Sequence, residues 1–296
     1  MNNKGIALGL GAYFLWGVFP IYFKLLSAVG ALQLIAHRIT WSFVLLTAFL
    51  VLTKQWRRFF QAANQPRLIG LYFVSALLLS VNWLTYVWGV QAGFIVETSL
   101  GYFINPLVNV LFGVLILRER LRPWQWLPVG LAATGVIYLT ILYGRLPWIA
   151  LTLAFSFGLY GLVKKMAPLS STYGLTLETG LVFLPALGLL LFEEASGSGG
   201  FLHISRLTDF LLVLSGVITV IPLLMFSSAA RQVPLSVMGI MQYIAPTMQF
   251  LIGVLLYHEP FDVQRLIGFG FVWLALVIFA VEGFAQHRRM GHQMKM

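Results

Sequence analysis

The sequence predicts an all-α integral membrane protein: ten transmembrane helices arranged as two inverted five-helix repeats. Three observations lead there. Of the 296 residues, 59% are hydrophobic and only 9% charged, with a mean hydropathy of +0.89. A soluble globular chain carries about 25% charged residues, so this chain cannot cover itself with a polar surface. Second, a helix needs about 20 mostly apolar residues to cross a bilayer, and the chain holds ten such runs. Third, the run from Ile104 to Arg120 returns without a gap as the run from Ile244 to Pro260. Ile104, Pro106, Leu111, Gly113, Val114, Leu115 and Glu119 fall on Ile244, Pro246, Leu251, Gly253, Val254, Leu255 and Glu259.

The ten runs are residues 6–25, 32–53, 68–91, 98–117, 124–143, 148–163, 172–192, 210–230, 235–257 and 266–284. The first follows Lys4 directly, is too long for the core of a secretion signal and has no small-residue cleavage site. It reads as a retained span. The sixth is the shortest. Most connections are a few residues long, as in a compact bundle. Residues 54–67 and 193–209 form longer links, the latter around Ser196, Gly197, Ser198, Gly199 and Gly200.

The formal charge of +10 is a matter of topology rather than of nucleic acid. With the N-terminus inside, 14 of the 19 Lys and Arg residues fall on the inner side, the bias that orients membrane proteins. Both termini are then cytoplasmic. There is no cysteine, so disulfides and thiolate metal sites are excluded. Metalloprotease, P-loop and nucleophile-elbow motifs are absent too, and the chain reads as neither an enzyme nor a cofactor protein.

The repeat reaches back into the first span. Trp16, Gly17 and Lys24 correspond, at nearly the same offset, to Phe157, Gly158 and Lys165. The units are residues 1–146 and 147–296. Five spans is an odd number, so the second unit enters the membrane from the opposite side. Inverted repeats of this kind underlie alternating access in secondary transporters.

Two five-helix units, Trp16-Gly17 with Lys24, and the Pro…Gly…Glu pattern closing the fourth helix of each unit resemble the drug/metabolite transporter superfamily, EamA type. The stretch from Ala12 to Lys24, His37-Arg38 and Asn82-Trp83 is similar to its RarD group. The resemblance spans essentially the whole chain. It implies a basket of ten helices around a central cavity, in the bacterial inner membrane. It also implies export of a small organic solute such as a metabolite or drug.

Polar groups deep in apolar spans mark candidate pathways, because burying them against lipid is costly. His37 and Arg38 lie about 9 Å into the second span at 1.5 Å per residue. Arg38 either snorkels outward or faces the cavity as a fixed cation. His37 is a candidate proton site or a hydrogen-bonded packing residue. Glu178, the repeat equivalent of His37, balances Arg38, meets a cationic group of the substrate, or simply ties two helices. Asn82 and Trp83, Asn105, and Gln242 with Tyr243 bring amides and rings toward mid-membrane. Trp16, Tyr22, Tyr86, Tyr102 and Tyr160 are aromatic candidates for cavity or interfacial belt. Pro106, Pro222 and Pro246 remove backbone hydrogen bonds and serve as kinks for gating or for shape. Glu119 and Glu259, at the ends of their helices, read as structural locks that cap or pair with basic neighbours. Lys164-Lys165 reads as a cytoplasmic anchor against anionic lipid heads.

These features converge on a secondary active transporter of a small organic solute, working across the bilayer with protons as a candidate coupling ion. A passive channel would need a continuous polar stripe. A membrane scaffold or sensor would need a partner surface, for which residues 54–67 are the candidate.

Overall fold

The computed structural model describes residues 3–116, 126–144, 146–230, 232 and 241–293, and these are all helix or short connections. Apolar sequence in a medium without water must satisfy its backbone internally, which leaves helices for such a chain. The first span is α1 (Asn3–Gly17) and α2 (Phe19–Leu25), then α3 (Ala31–Leu52). A short helix, α4 (Trp56–Ala63), fills the first long link, followed by α5 (Pro66–Gln91) and α6 (Ile95–Leu115). Next come α7 (Trp126–Tyr143), α8 (Trp148–Met166), α9 (Ser171–Ala195) and α10 (Arg206–Ala230). The last part holds α11 (Ile244–Leu251), continued by a π-helical turn (Ile252–Leu256), and α12 (Val263–Gln293).

Among the described residues, five helical units are long and apolar enough to cross a membrane: α1 with α2, α3, α5, α9 and α10. Shorter apolar stretches lie in α7, α8, α11 with its π turn, and α12. This is the composition of a multi-pass membrane protein. Each sequence-predicted span falls on these helices; within the ninth, residues 233–240 lie outside the described part, Met241 is helical, and the helix resumes at 244 after a turn at 242–243. Glu119 also lies outside the described residues.

The prolines act differently from one another. Pro20 breaks the first span. Without an N–H, it leaves the Trp16 carbonyl without its helical partner, and the helix restarts at Phe19. Gln249 repairs the loss, its Nε2 donating to the Trp16 carbonyl at 3.0 Å. Pro106 and Pro222 sit inside α6 and α10, which run on past them. Pro246 lies in the first turn of α11, which starts after a turn at Gln242 and Tyr243 that separates it from helical Met241. The apolar run is thus interrupted beside this proline much as the first span is at Pro20.

The helices pair across the chain: α6 on α8, α1 on α10 and α11, α3 on α9 and α10, α5 on α8, and α7 on α12. Side chains at one end of the bundle pack without exposure, Phe23, Leu26, Leu34 and Ile95 among them. A second core joins α6, α7 and α12 through Leu100, Leu139, Phe269 and Val272. α4 is short and amphipathic. Phe59 is buried against Tyr173, while Arg57 and Arg58 stay exposed, as in a helix lying along the interface.

Candidate transport cavity

A cavity of about 140 Å³ lies between α1, α2, α3, α5, α6, α8, α10 and α11. Its walls are largely aromatic: Tyr13, Trp16, Phe19, Trp83, Tyr86, Tyr102, Phe157 and Phe226. Arg38 is the one charged lining residue among those described. It is 3% exposed, so the snorkelling alternative does not describe it. Its Nε donates to Thr219 Oγ1 at 3.0 Å, and its guanidinium lies 4.4 Å from the Trp83 ring centre and 5.1 Å from that of Phe23. Ring faces stabilise a desolvated cation by roughly 2 kcal/mol, which offsets only part of its burial. Arg38 Nη1 has no hydrogen-bond partner.

The amides on the wall are mostly occupied. Asn82 Nδ2 donates to the Leu153 carbonyl at 3.1 Å and to Ser156 Oγ at 3.0 Å, while its Oδ1 accepts from Tyr102 at 3.2 Å. Asn105 donates to the Ala154 carbonyl at 3.0 Å and accepts from Asn109 at 3.1 Å. Both asparagines therefore tie α5 or α6 to α8. Gln242 and Pro246 also line the cavity.

The other sequence candidates lie elsewhere. His37 is buried beside Phe201, ring centres 5.4 Å apart, and does not line the cavity. Neighbours on a helix point about 100° apart, so Arg38 and His37 cannot share one face. Tyr22 donates to the Leu211 carbonyl, and Tyr243 packs into the second core. Glu178 is 1% exposed and does not meet Arg38. It pairs with Lys164 Nζ at 3.0 Å and accepts from Ser75 Oγ at 2.5 Å, with Tyr160 at 3.5 Å. Lys164 is thus turned inward onto Glu178 and the Tyr72 ring, a correction to its reading as a lipid anchor. Sequence reasoning passed over Gln249, although it is the repeat equivalent of Asn109, an amide matching an amide. Thr219 carried no signal beyond being a hydroxyl in an apolar run.

Glu259 belongs to a different place. Its two carboxylate oxygens accept the N–H groups of Ile95 and Val96 at 2.7 and 2.8 Å. These are donors that the first turn of α6 cannot satisfy within the helix. Burial pushes this carboxyl above its ordinary range, and the two N–H groups oppose that shift. Glu259→Ala should lower stability by about 1–2 kcal/mol, the size of a lost N-cap. Equilibrium unfolding in detergent measures this, and an unchanged midpoint would remove the cap from the energetics.

Comparison with known proteins agrees with this architecture. Residues 3–141 match the EamA-like transporter family. Protein RarD of Streptomyces exfoliatus is 44% identical over 97% of this chain and 91% of its own. An uncharacterised transporter of Vibrio cholerae is 46% identical over 95% and 93%, and Protein RarD of Escherichia coli 40% over 97% of each. One solved structure superposes with a TM-score of 0.61 over 94% of this chain and 98% of its own. At 16% identity it shows a shared fold. The chain belongs to the EamA-like family of drug/metabolite-type membrane transporters, in its RarD-like group.

Proposed function

We propose that the protein is a secondary active exporter of a small organic solute, working by alternating access in the bacterial inner membrane. The moving parts are two inverted five-helix halves, residues 1–146 and 147–296, with both termini cytoplasmic. One observation carries the reading: the Arg38 cavity is lined by helices of both halves. A rocking motion between them would therefore change its access. The contacts between halves support it further. A Cβ on Gly17 would meet Met248, and one on Gly158 would meet Val108. The two glycines are repeat equivalents, and so are Val108 and Met248. The fourth helix of each half thus meets the first helix of the other in like manner. Small residues permit such close crossings in membranes. Dense packing around Phe23, Leu26 and Ile95 supports a closed gate at the end opposite the cytoplasm.

Coupling to protons is part of the proposal, since the sequence has no nucleotide-binding motif to supply energy. The test is flux through the purified protein in proteoliposomes. Saturable exchange that responds to an imposed pH gradient is expected. Single-channel current steps in a planar bilayer would replace the carrier with a channel.

A further inference from the structure

The unpaired groups on the cavity wall describe a substrate. Three buried polar atoms of lining residues lack a hydrogen-bond partner: Arg38 Nη1, the Tyr86 hydroxyl and Gln249 Oε1. Gln249 is oriented without ambiguity, because only its amide nitrogen can donate to the Trp16 carbonyl. Its oxygen is left as an acceptor. The wall thus offers a guanidinium N–H, a phenol that can donate and an amide oxygen that can accept.

The charge balance is one-sided. Among the described lining residues there is a cation and no carboxylate. The described buried carboxylate, Glu178, is held by Lys164 and Ser75 outside the cavity. A cationic solute would meet Arg38 with no counter-charge, and a like-charge encounter in a low-dielectric site is strongly unfavourable. A neutral solute would leave the guanidinium as costly as before. An anion gains a charge-assisted hydrogen bond from Nη1 and relieves the burial of Arg38. Two free donors suit a single carboxylate, whereas a phosphate dianion would keep most of its oxygens unpaired. Around this polar corner, Trp16, Trp83, Tyr102 and Phe157 form flat apolar walls.

We infer that the cavity binds a monocarboxylate with a flat apolar body, its carboxylate on Arg38 and Tyr86 and a neutral N–H or O–H of the body directed to Gln249. This deepens the transport reading and rests on it. Arg38 would then determine specificity by charge, not by shape.

The test compares three probes of one shape: 3-phenylpropanoate, 3-phenylpropanamide and 3-phenylpropylamine. Calorimetric titration of the full-length protein in nanodiscs should rank the carboxylate about tenfold or more above the amide, the margin of a charged hydrogen bond. The amine should show no binding. In Arg38→Gln the carboxylate should lose its advantage, and in Arg38→Lys it should keep part of it. Tyr86→Phe should weaken the carboxylate and leave the amide nearly unchanged. The wild-type series stands by itself should Arg38→Gln not fold. A wild-type carboxylate that fails to outbind its amide, because all three bind alike or none binds, overturns the proposal. So does an Arg38→Gln protein that folds and keeps the preference. Counterflow in proteoliposomes separates the two levels. Exchange of the amide without the carboxylate sinks the anion site and spares the transporter, whereas carboxylate binding with channel-like currents does the reverse.

Discussion

Lys164→Met is expected to destabilise the protein by about 3 kcal/mol, the lower end of what breaking a buried ion pair costs. The reason is what the substitution leaves behind. Glu178 is 1% exposed, and without Lys164 it keeps only Ser75 and the long contact to Tyr160. The reverse change should be milder. Glu178→Gln still offers an oxygen to Lys164, whose side chain is 26% exposed and lies close to the end of α8. From there the ammonium can reach the polar interface. The double variant should recover most of the loss, because no charge is stranded. Thermal unfolding of the four proteins in one detergent measures this as a double-mutant cycle. Losses that simply add in the double variant, with no recovery, would mean that the pair is not the source of the effect.

That asymmetry illustrates how much of the molecule was legible in the sequence. Helix positions followed from hydropathy, since a long apolar run in lipid has few options. Arg38 was legible as an exception to that rule, and the structure puts it in the cavity wall. Its neighbour His37 carried the same signal and faces Phe201 instead. Depth in a span is written in the sequence, whereas facing depends on which helices pack beside it. Lys164 shows a second limit. Its place in a basic pair at a span end argued for lipid head groups, and nothing local announced Glu178 reaching it from α9. Pro20 shows a third. A proline in an apolar run marks a lost hydrogen bond, but the donor that compensates, Gln249, stands in the other half of the chain.

The repeat makes such distant partners easier to find. Asn105 on α6 donates to a backbone carbonyl of α8, and Gln249 on α11 donates to one of α1. Both bonds join helix pairs related in sequence, α6 with α8 and α11 with α1, at nearby levels rather than matching positions. The chain keeps the crossing and varies the means. In one copy the carbonyl is freed by Pro20; in the other, Ala154 lies within the continuous helix α8. A difference between otherwise related helices gives the cavity unlike walls, and Arg38 stands on one of them.

Gly101→Val should be the most damaging single change at these crossings, at about 3 kcal/mol, the upper part of the usual range for overpacking. A Cβ there would lie 2.7 Å from the Ala150 carbonyl oxygen and 2.9 Å from Leu153 Cβ. Backbone cannot swing aside, so α6 must move off α8. That movement stretches the bond from Asn105 to the Ala154 carbonyl, and the cavity wall opens with it. The related crossing offers an internal comparison. Gly101 corresponds to Met241 and Gly9 to Ala150, so the small residue has changed helices. A Cβ on Gly9 would meet Met241 Cε at 2.7 Å, the far end of an adaptable side chain. Gly9→Ala should therefore cost less than about 1 kcal/mol, and so should Gly161→Ala, where no atom lies within 4 Å. Melting temperatures and flux measured side by side decide the matter. A Gly101→Val protein with wild-type stability and transport would show that α6 and α8 are not held at this distance, and the interlocked amides would lose their role in shaping the cavity.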